Sequence, residues 1–244
     1  MGRAIRNPLA RGFYTVPEAA RLIRVGSTQK IYGWLKGYPG REIGPLLARD
    51  YMPIRDFQEL SFLDLMEIRF VEHFREHGVK VTSLRLAAQR LRQEFDTEHP
   101  FALQQVIVVA DKSDVMVVED VLRASAEEVR DMKLRSLLTR NYVMYETIKR
   151  GLLPGVKFDA RSRLASSWKP EPHQFPRIVV DPRIAYGKPA GPSRVPTGVL
   201  YDAWLAENEN ADAVAHWFDV PTPEIMEAVK FEKFLNQRPQ AQAA

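Results

Sequence analysis

The stretch YTVPEAARLIRVGSTQKIYGWLK, residues 14–36, decides how the chain is read. Thr15 stands where a helix N-cap hydroxyl is wanted, Glu18 three residues later can return the capping box, and Pro17 falls in the first turn, where an N–H has no helical partner to lose. Val16, Ala19, Ala20 and Ile23 then share one face at helical spacing. After Arg24-Val25-Gly26 a second cap is available at Ser27-Thr28, and Ile31, Trp34 and Leu35 line one face of a short helix ending near Gly37. Two short helices joined through a glycine-containing turn make a helix-turn-helix pattern. The second helix carries Thr28, Gln29, Lys30, Tyr32 and Lys36 on its polar face.

Outward from this segment, residues 39–57 are rich in Gly and Pro with β-compatible pieces at Leu46-Leu47-Ala48 and Tyr51-Met52-Pro53-Ile54, which predicts a hairpin or wing. Ser61 caps a longer helix whose stripe is Leu63, Met66, Phe70 and Phe74. Another helix begins around Thr82-Ser83 with Leu84, Ala88, Leu91 and Phe95 on one face. Past His99-Pro100, Val106–Val109 and Val115–Val118 flank Asp111-Lys112-Ser113-Asp114 as a hairpin signal, and a helical stretch follows from Val121 to Arg150. Residues 151–196 hold many prolines, with strand signals at 156–158 and 178–180, and predict an interdomain connection. Three short helices are expected near 198–206, 211–218 and 222–235, the last with Thr222 as cap, Pro223 at N1 and Glu224 in the first turn.

The fold class is therefore mainly α with small β elements, an α+β chain divided as 1–99, a winged helix domain; 100–176, a middle α+β region; and 177–244, a helical module. The chain has 244 residues, enough for two modest cores, and no cysteine, which removes disulfides, thiolate catalysis and Cys-ligated zinc together. No apolar run reaches the roughly 20 residues of a membrane span, and the first residues carry no apolar stretch of signal-peptide type, so a cytoplasmic protein away from the membrane is expected. Charge is unevenly spread. Between Met1 and Arg49, Arg3, Arg6, Arg11, Arg21, Arg24, Lys30, Lys36, Arg41 and Arg49 face only Glu18 and Glu42. From Gly198 onward, Asp202, Glu207, Glu209, Asp212, Asp219, Glu224, Glu227 and Glu232 face Lys230, Lys233 and Arg238. A basic end attracts a polyanion through counterion release; an acidic end suits a basic partner.

Residues 14–36, the wing and the helix entering at Leu60-Ser61-Phe62-Leu63-Asp64-Leu65 together resemble the DNA-binding head of MerR-type winged-helix regulators. By that resemblance Ser27, Thr28, Gln29, Lys30 and Tyr32 would face the groove while Arg24, Lys36, Arg41, Arg49 and Arg55 hold phosphates. Thiolate metal sensing, known in such regulators, is excluded here by the lack of cysteine. Val180-Asp181-Pro182, Gly187-Lys188-Pro189 and Arg194-Val195-Pro196-Thr197, with the three helices that follow, are similar to the domain of unknown function numbered 433 over about Arg177 to Leu235. Gly191-Pro192-Ser193-Arg194 is one residue longer than that family's Gly-x-Arg turn. Members occur in bacterial type II antitoxins beside PIN-like ribonuclease toxins. The resemblance implies a VapB-like antitoxin: a homodimer that binds operator DNA through its head, represses its own operon, and meets a cognate toxin through Tyr201, Trp204, Trp217, Phe231 and Phe234, with the two activities separable by deleting residues 198–244. A stand-alone MerR-like regulator, with its middle region binding a ligand, is the alternative.

An enzyme is not expected, and no cofactor or metal is called for. His73-Phe74-Arg75-Glu76-His77 has the H-x-x-E-H spacing of zinc peptidases, and Glu146 lies at a plausible downstream distance for a third ligand. The pentapeptide, however, ends a helix just before Gly78, where histidines commonly meet the carbonyl end of the dipole. His99, His173 and His216 show no ligand spacing.

Overall fold

The computed structural model describes residues 11–37, 44–52, 58–106 and 152–237. These are mainly helical with one small two-stranded antiparallel sheet. The expected 106–118 hairpin (beyond residue 106) and the 121–150 helical stretch lie outside the described residues, as do the tail from 238 and parts of the expected wing, 38–43 and 53–57. The chain forms two compact units that are not contiguous in sequence. One comprises Met1–Thr28, Tyr51–Phe62 and Ser166–Ala244; the other comprises Gln29–Asp50 and Leu63–Ala165. This partition differs from the expected linear one.

In the first unit, α1 (Val16–Ile23) opens with the capping box the sequence calls for: the Glu18 N–H donates to the Thr15 hydroxyl and the Thr15 N–H to the Glu18 carboxylate, 2.8 Å away. The helix buries Val16, Ala19, Ala20 and Leu22 and ends on Arg24 in the left-handed region. The three C-terminal helices, α5 (Thr197–Ala206), α6 (Ala211–Phe218) and α7 (Thr222–Asn236), close around Leu200, Trp204, Val214, Val220, Ile225, Ala228 and Val229. Each of the buried Leu, Val and Ile side chains contributes about 1.5–3 kcal/mol of transfer free energy. Asn210 caps α6 through the N–H groups of Asp212 and Ala213. Thr222, expected to cap α7, lies inside it and donates its hydroxyl to Asp212, while Pro221 precedes the helix and Glu224 turns inward.

Residues 166–196, read as a connection, are instead part of this unit's body. Ile178–Val180 makes bridges and not a named strand, pairing Trp168 with Val180 and Val179 with Ala190. Phe175 packs edge-on to Phe231, with ring centroids 5.3 Å apart. α1 packs on α7, and the Tyr14 hydroxyl donates to the Gly187 carbonyl at 2.7 Å. Gly187 has φ +84, and a Cβ there would fall 2.2 Å from the Tyr14 hydroxyl oxygen, so this turn needs glycine for both its conformation and its close approach.

The second unit holds α2 (Thr28–Lys36), whose first residue belongs to the other unit, together with α3 (Phe62–Glu76) from Leu63 onward and α4 (Val81–Phe95). Strand β1 (Val156–Phe158) pairs with β2 (Ala165–Trp168), which starts at the unit's last residue and was not foreseen. The wing expectation at Leu46-Leu47-Ala48 is corrected. No strand forms there; the N–H groups of Leu46 and Leu47 both donate to the Trp34 carbonyl, and both leucines are buried. A helix leaves its last carbonyls without intrahelical donors, and this segment supplies them to α2. Phe70 stacks on Phe101, with centroids 4.4 Å apart, and anchors the turn after α4 against α3.

Candidate functional site

Three places bear on function, and each is built within a single unit. The first is the outer face of α2. Ile31, Trp34 and Leu35 are buried, so the helix turns Gln29, Lys30 and Lys36 outward, with Tyr32 half-buried. Lys30 lies 3.2 Å from the carboxylate of buried Glu72 on α3. The Lys36 ammonium sits 5.6 Å from the centre of the Tyr32 ring. Arg49 is half-buried in this unit; Arg41 and Arg55 lie outside the described residues. Ser27 and Thr28 are half-buried and Arg24 sits at the end of α1, all three in the other unit. Arg24, expected at a phosphate, lays its guanidinium 4.2 Å from the centre of the Phe234 ring.

The second is a buried charge cluster that sequence reasoning missed. Asp64 and Glu67 sit in the first turns of α3, fully buried; Asp50 approaches from the segment after α2 and His99 from the turn after α4. His99 Nε2 is 3.4 Å from Asp50, and Nδ1 is 3.3 Å from Glu67 and 3.7 Å from Asp64. Glu67 also accepts the Phe101 N–H at 3.1 Å. Burial alone pushes the imidazole toward its neutral form, but hydrogen bonds to Asp50 and Glu67 and the charges of Glu67 and Asp64 outweigh it, and the pKa is pushed up to about 10. His99 is therefore an imidazolium at neutral pH. Asp50, Asp64 and His99 bring ligand atoms within 4.8 Å of one another, a spacing a divalent cation could use; the protonated His99 offsets part of the carboxylate charge. The readable signal was the i, i+3 pair Asp64 and Glu67, but Asp50 and His99 come from segments without periodicity.

The H-x-x-E-H stretch behaves as a helix end. The His77 Nδ1 is hydrogen-bonded to the His73 carbonyl at 2.6 Å, and the two rings lie 4.5 Å apart. Burial and the neighbouring Glu72 charge raise the pKa of Glu76. Among the described residues these side chains do not form a convergent ligand set.

The third is the C-terminal module. Of the five aromatic residues expected to meet a partner, Phe231 and Trp204 are closed into the core, the indole of Trp204 being further covered by the Lys233 ammonium at 4.3 Å. A side chain without accessible surface cannot contact a partner while the module is folded. Tyr201 stacks on Trp204, and Phe234 is held between Phe175 and Arg24. Trp217 is 73% exposed.

Among the described residues no helix is long and apolar enough to cross a membrane. No family model matches the chain, and no curated protein matches it. Among solved structures it is similar to the crystal structure of Rv2018 from Mycobacterium tuberculosis, with 22% identity and a TM-score of 0.61 over 92% of this chain and 98% of that one. At that identity the likeness is one of fold.

Proposed function

We propose that the chain is a DNA-binding antitoxin of a type II toxin-antitoxin system, which represses its own operon and neutralises a PIN-like ribonuclease toxin. The observation that carries the reading is α2 itself: a short amphipathic helix with its apolar side buried and Gln29, Lys30 and Lys36 turned to solvent. A helix of this kind reads base edges with a residue such as Gln29, which can pair in a bidentate manner with adenine, while cations such as Lys36 hold phosphates. The acidic, aromatic-bearing C-terminal module supports the toxin-binding half, because charge of that sign favours a basic enzyme and opposes nucleic acid. A dimer would place two α2 helices about one helical turn apart on a repeated or palindromic operator.

The test is gel retardation of the chain's own promoter at fixed salt. Gln29→Ala is expected to cost about 1–3 kcal/mol of discrimination between operator and scrambled DNA. Lys36→Ala should weaken both equally and lower the slope of log K against log salt by about 1. A double variant that binds the promoter as tightly as the native chain would remove the DNA-binding reading.

A further inference from the structure

We infer that the outer face of α6, centred on Trp217, is the surface on which the module seats a cationic protein partner; this rests on the proposed toxin binding and names the surface that performs it. Isolated exposed apolar side chains are ordinary. Here they concentrate. Of the eight large apolar side chains exposed among the described residues, four (Val199, Leu205, Trp217 and Phe218) fall between residues 199 and 218. On α6, Ala213 stands one turn before Trp217 and shares its face, leaving the indole beside a small side chain, while Asp212 and His216, also one turn apart, lie on a different face of the helix.

The charge of this segment selects the occupant. Residues 195–229 contain seven acidic side chains and neither lysine nor arginine. Three of the seven have partners within the unit: Glu224 accepts the N–H and hydroxyl of Ser193, Glu227 pairs with Arg177, and exposed Asp212 accepts the Thr222 hydroxyl while keeping its charge unpaired. Asp202, Glu209, Asp212 and Asp219 are exposed, and none is in an ion pair among the described residues. An exposed indole on a segment whose exposed charges are acidic can serve as an interface anchor, in which the aromatic group carries affinity and the charges steer approach. The same acidic charge repels phosphate, which removes nucleic acid and anionic lipid as occupants. It also opposes a second copy of the chain, because a two-fold contact would set one acidic segment against another. A basic protein surface with an apolar recess is the occupant this chemistry fits.

The experiment titrates the full chain with the purified PIN-like ribonuclease of its own operon at two salt concentrations. The native chain is compared with Trp217→Ser, with the pair Asp212→Asn and Asp219→Asn, and with Leu86→Ser, which alters an exposed apolar side chain of the other unit. Trp217 is outside the core, so its variant retains the fold, checked by circular dichroism. Trp217→Ser should weaken binding by about thirtyfold or more, the double asparagine variant should flatten the salt dependence, and Leu86→Ser should bind as the native chain does. If the native chain binds the ribonuclease and Trp217→Ser binds equally well, the α6 surface is overturned while the proposed function stands. If the native chain retards its promoter yet does not bind the ribonuclease, the toxin half of the proposed function fails and this inference fails with it. Dissociation of a chain homodimer by Trp217→Ser, seen in sedimentation, would assign the face to self-association and overturn the inference.

Discussion

α1 and α2 are neighbours in sequence, separated by residues 24–27, yet their cations have opposite fates. Those of α1 are turned inward to the first unit: Arg21 pairs with buried Glu232 of α7, and Arg24 at its end covers Phe234. Lys188, in the turn preceding α5, pairs with Glu18. α2 in the second unit keeps Lys36 and Gln29 at the surface, and of its cations Lys30 has a carboxylate partner. A helix-turn-helix pattern therefore does not make its two helices equivalent. The first is a strut whose charges are used in assembly, and the second is the display element.

The sharpest way to break this contrast is to remove residues 198–244. If the head were an independent domain, α1 would survive. Because α1 packs on α7 and Glu232 is the partner of Arg21, the truncated chain is expected to lose the cooperative unfolding of the whole first unit, read by near-ultraviolet circular dichroism and limited proteolysis. A truncated chain with native protection across residues 14–24 would show the strut assignment to be mistaken.

Next in size is the charge cluster that anchors the second unit. His99→Leu leaves Asp64 and Glu67 buried without their cation and is expected to destabilise by about 3–5 kcal/mol in denaturant titration. The pH dependence has a definite sign. The folded-state pKa of about 10 lies above the ordinary 6.5, so protonation favours the folded state. The contribution is complete below about pH 6.5 and is lost as pH rises through about 10. His99→Gln should remove that alkaline slope; an unchanged slope would mean that another group carries it.

A smaller effect is expected from Arg21→Ala. It leaves the Glu232 carboxylate with the Thr197 hydroxyl alone, but Arg21 is 40% exposed and solvent screens the pair. A loss of about 1–2 kcal/mol follows, with promoter affinity unchanged once folding is allowed for. Weaker operator binding by folded Arg21→Ala protein would place α1 at the DNA and not in the scaffold.

Local signals carried much of the fold. The Thr15–Glu18 capping box and the α1 face follow from a cap and periodicity, which act within a few residues; the three C-terminal helices form where expected, although only α6 has a side-chain cap, Asn210. The division into units did not follow, because it depends on Tyr14 meeting Gly187 and Arg21 meeting Glu232 across most of the chain. Leu46-Leu47 looked like a strand because paired apolar residues fit a strand as well as a buried loop, and only the open carbonyl of Trp34 decides between them. At the candidate sites, the polar face of α2 was legible from its spacing. The difference between buried Trp204 and Phe231 and exposed Trp217 was not, since α5 and α7 carry apolar residues on more than one side.

The smallest expected difference separates two lysines of the same helix. Lys36 and Lys30 both face solvent, but Lys30 already has the Glu72 carboxylate at 3.2 Å. A phosphate approaching Lys30 meets a charge that is partly neutralised, so fewer counterions are exchanged there than at Lys36. Lys30→Ala should therefore reduce the salt slope of promoter binding by less than the change of about 1 expected for Lys36→Ala. It should also cost no more than about 1 kcal/mol of stability, because the lysine is half-exposed and a screened pair of this kind contributes little. Equal slopes for the two variants would mean that the ion pair opens when DNA binds. In that case Glu72→Gln, which removes the competing carboxylate, should tighten binding to every sequence alike, and only while Lys30 is present.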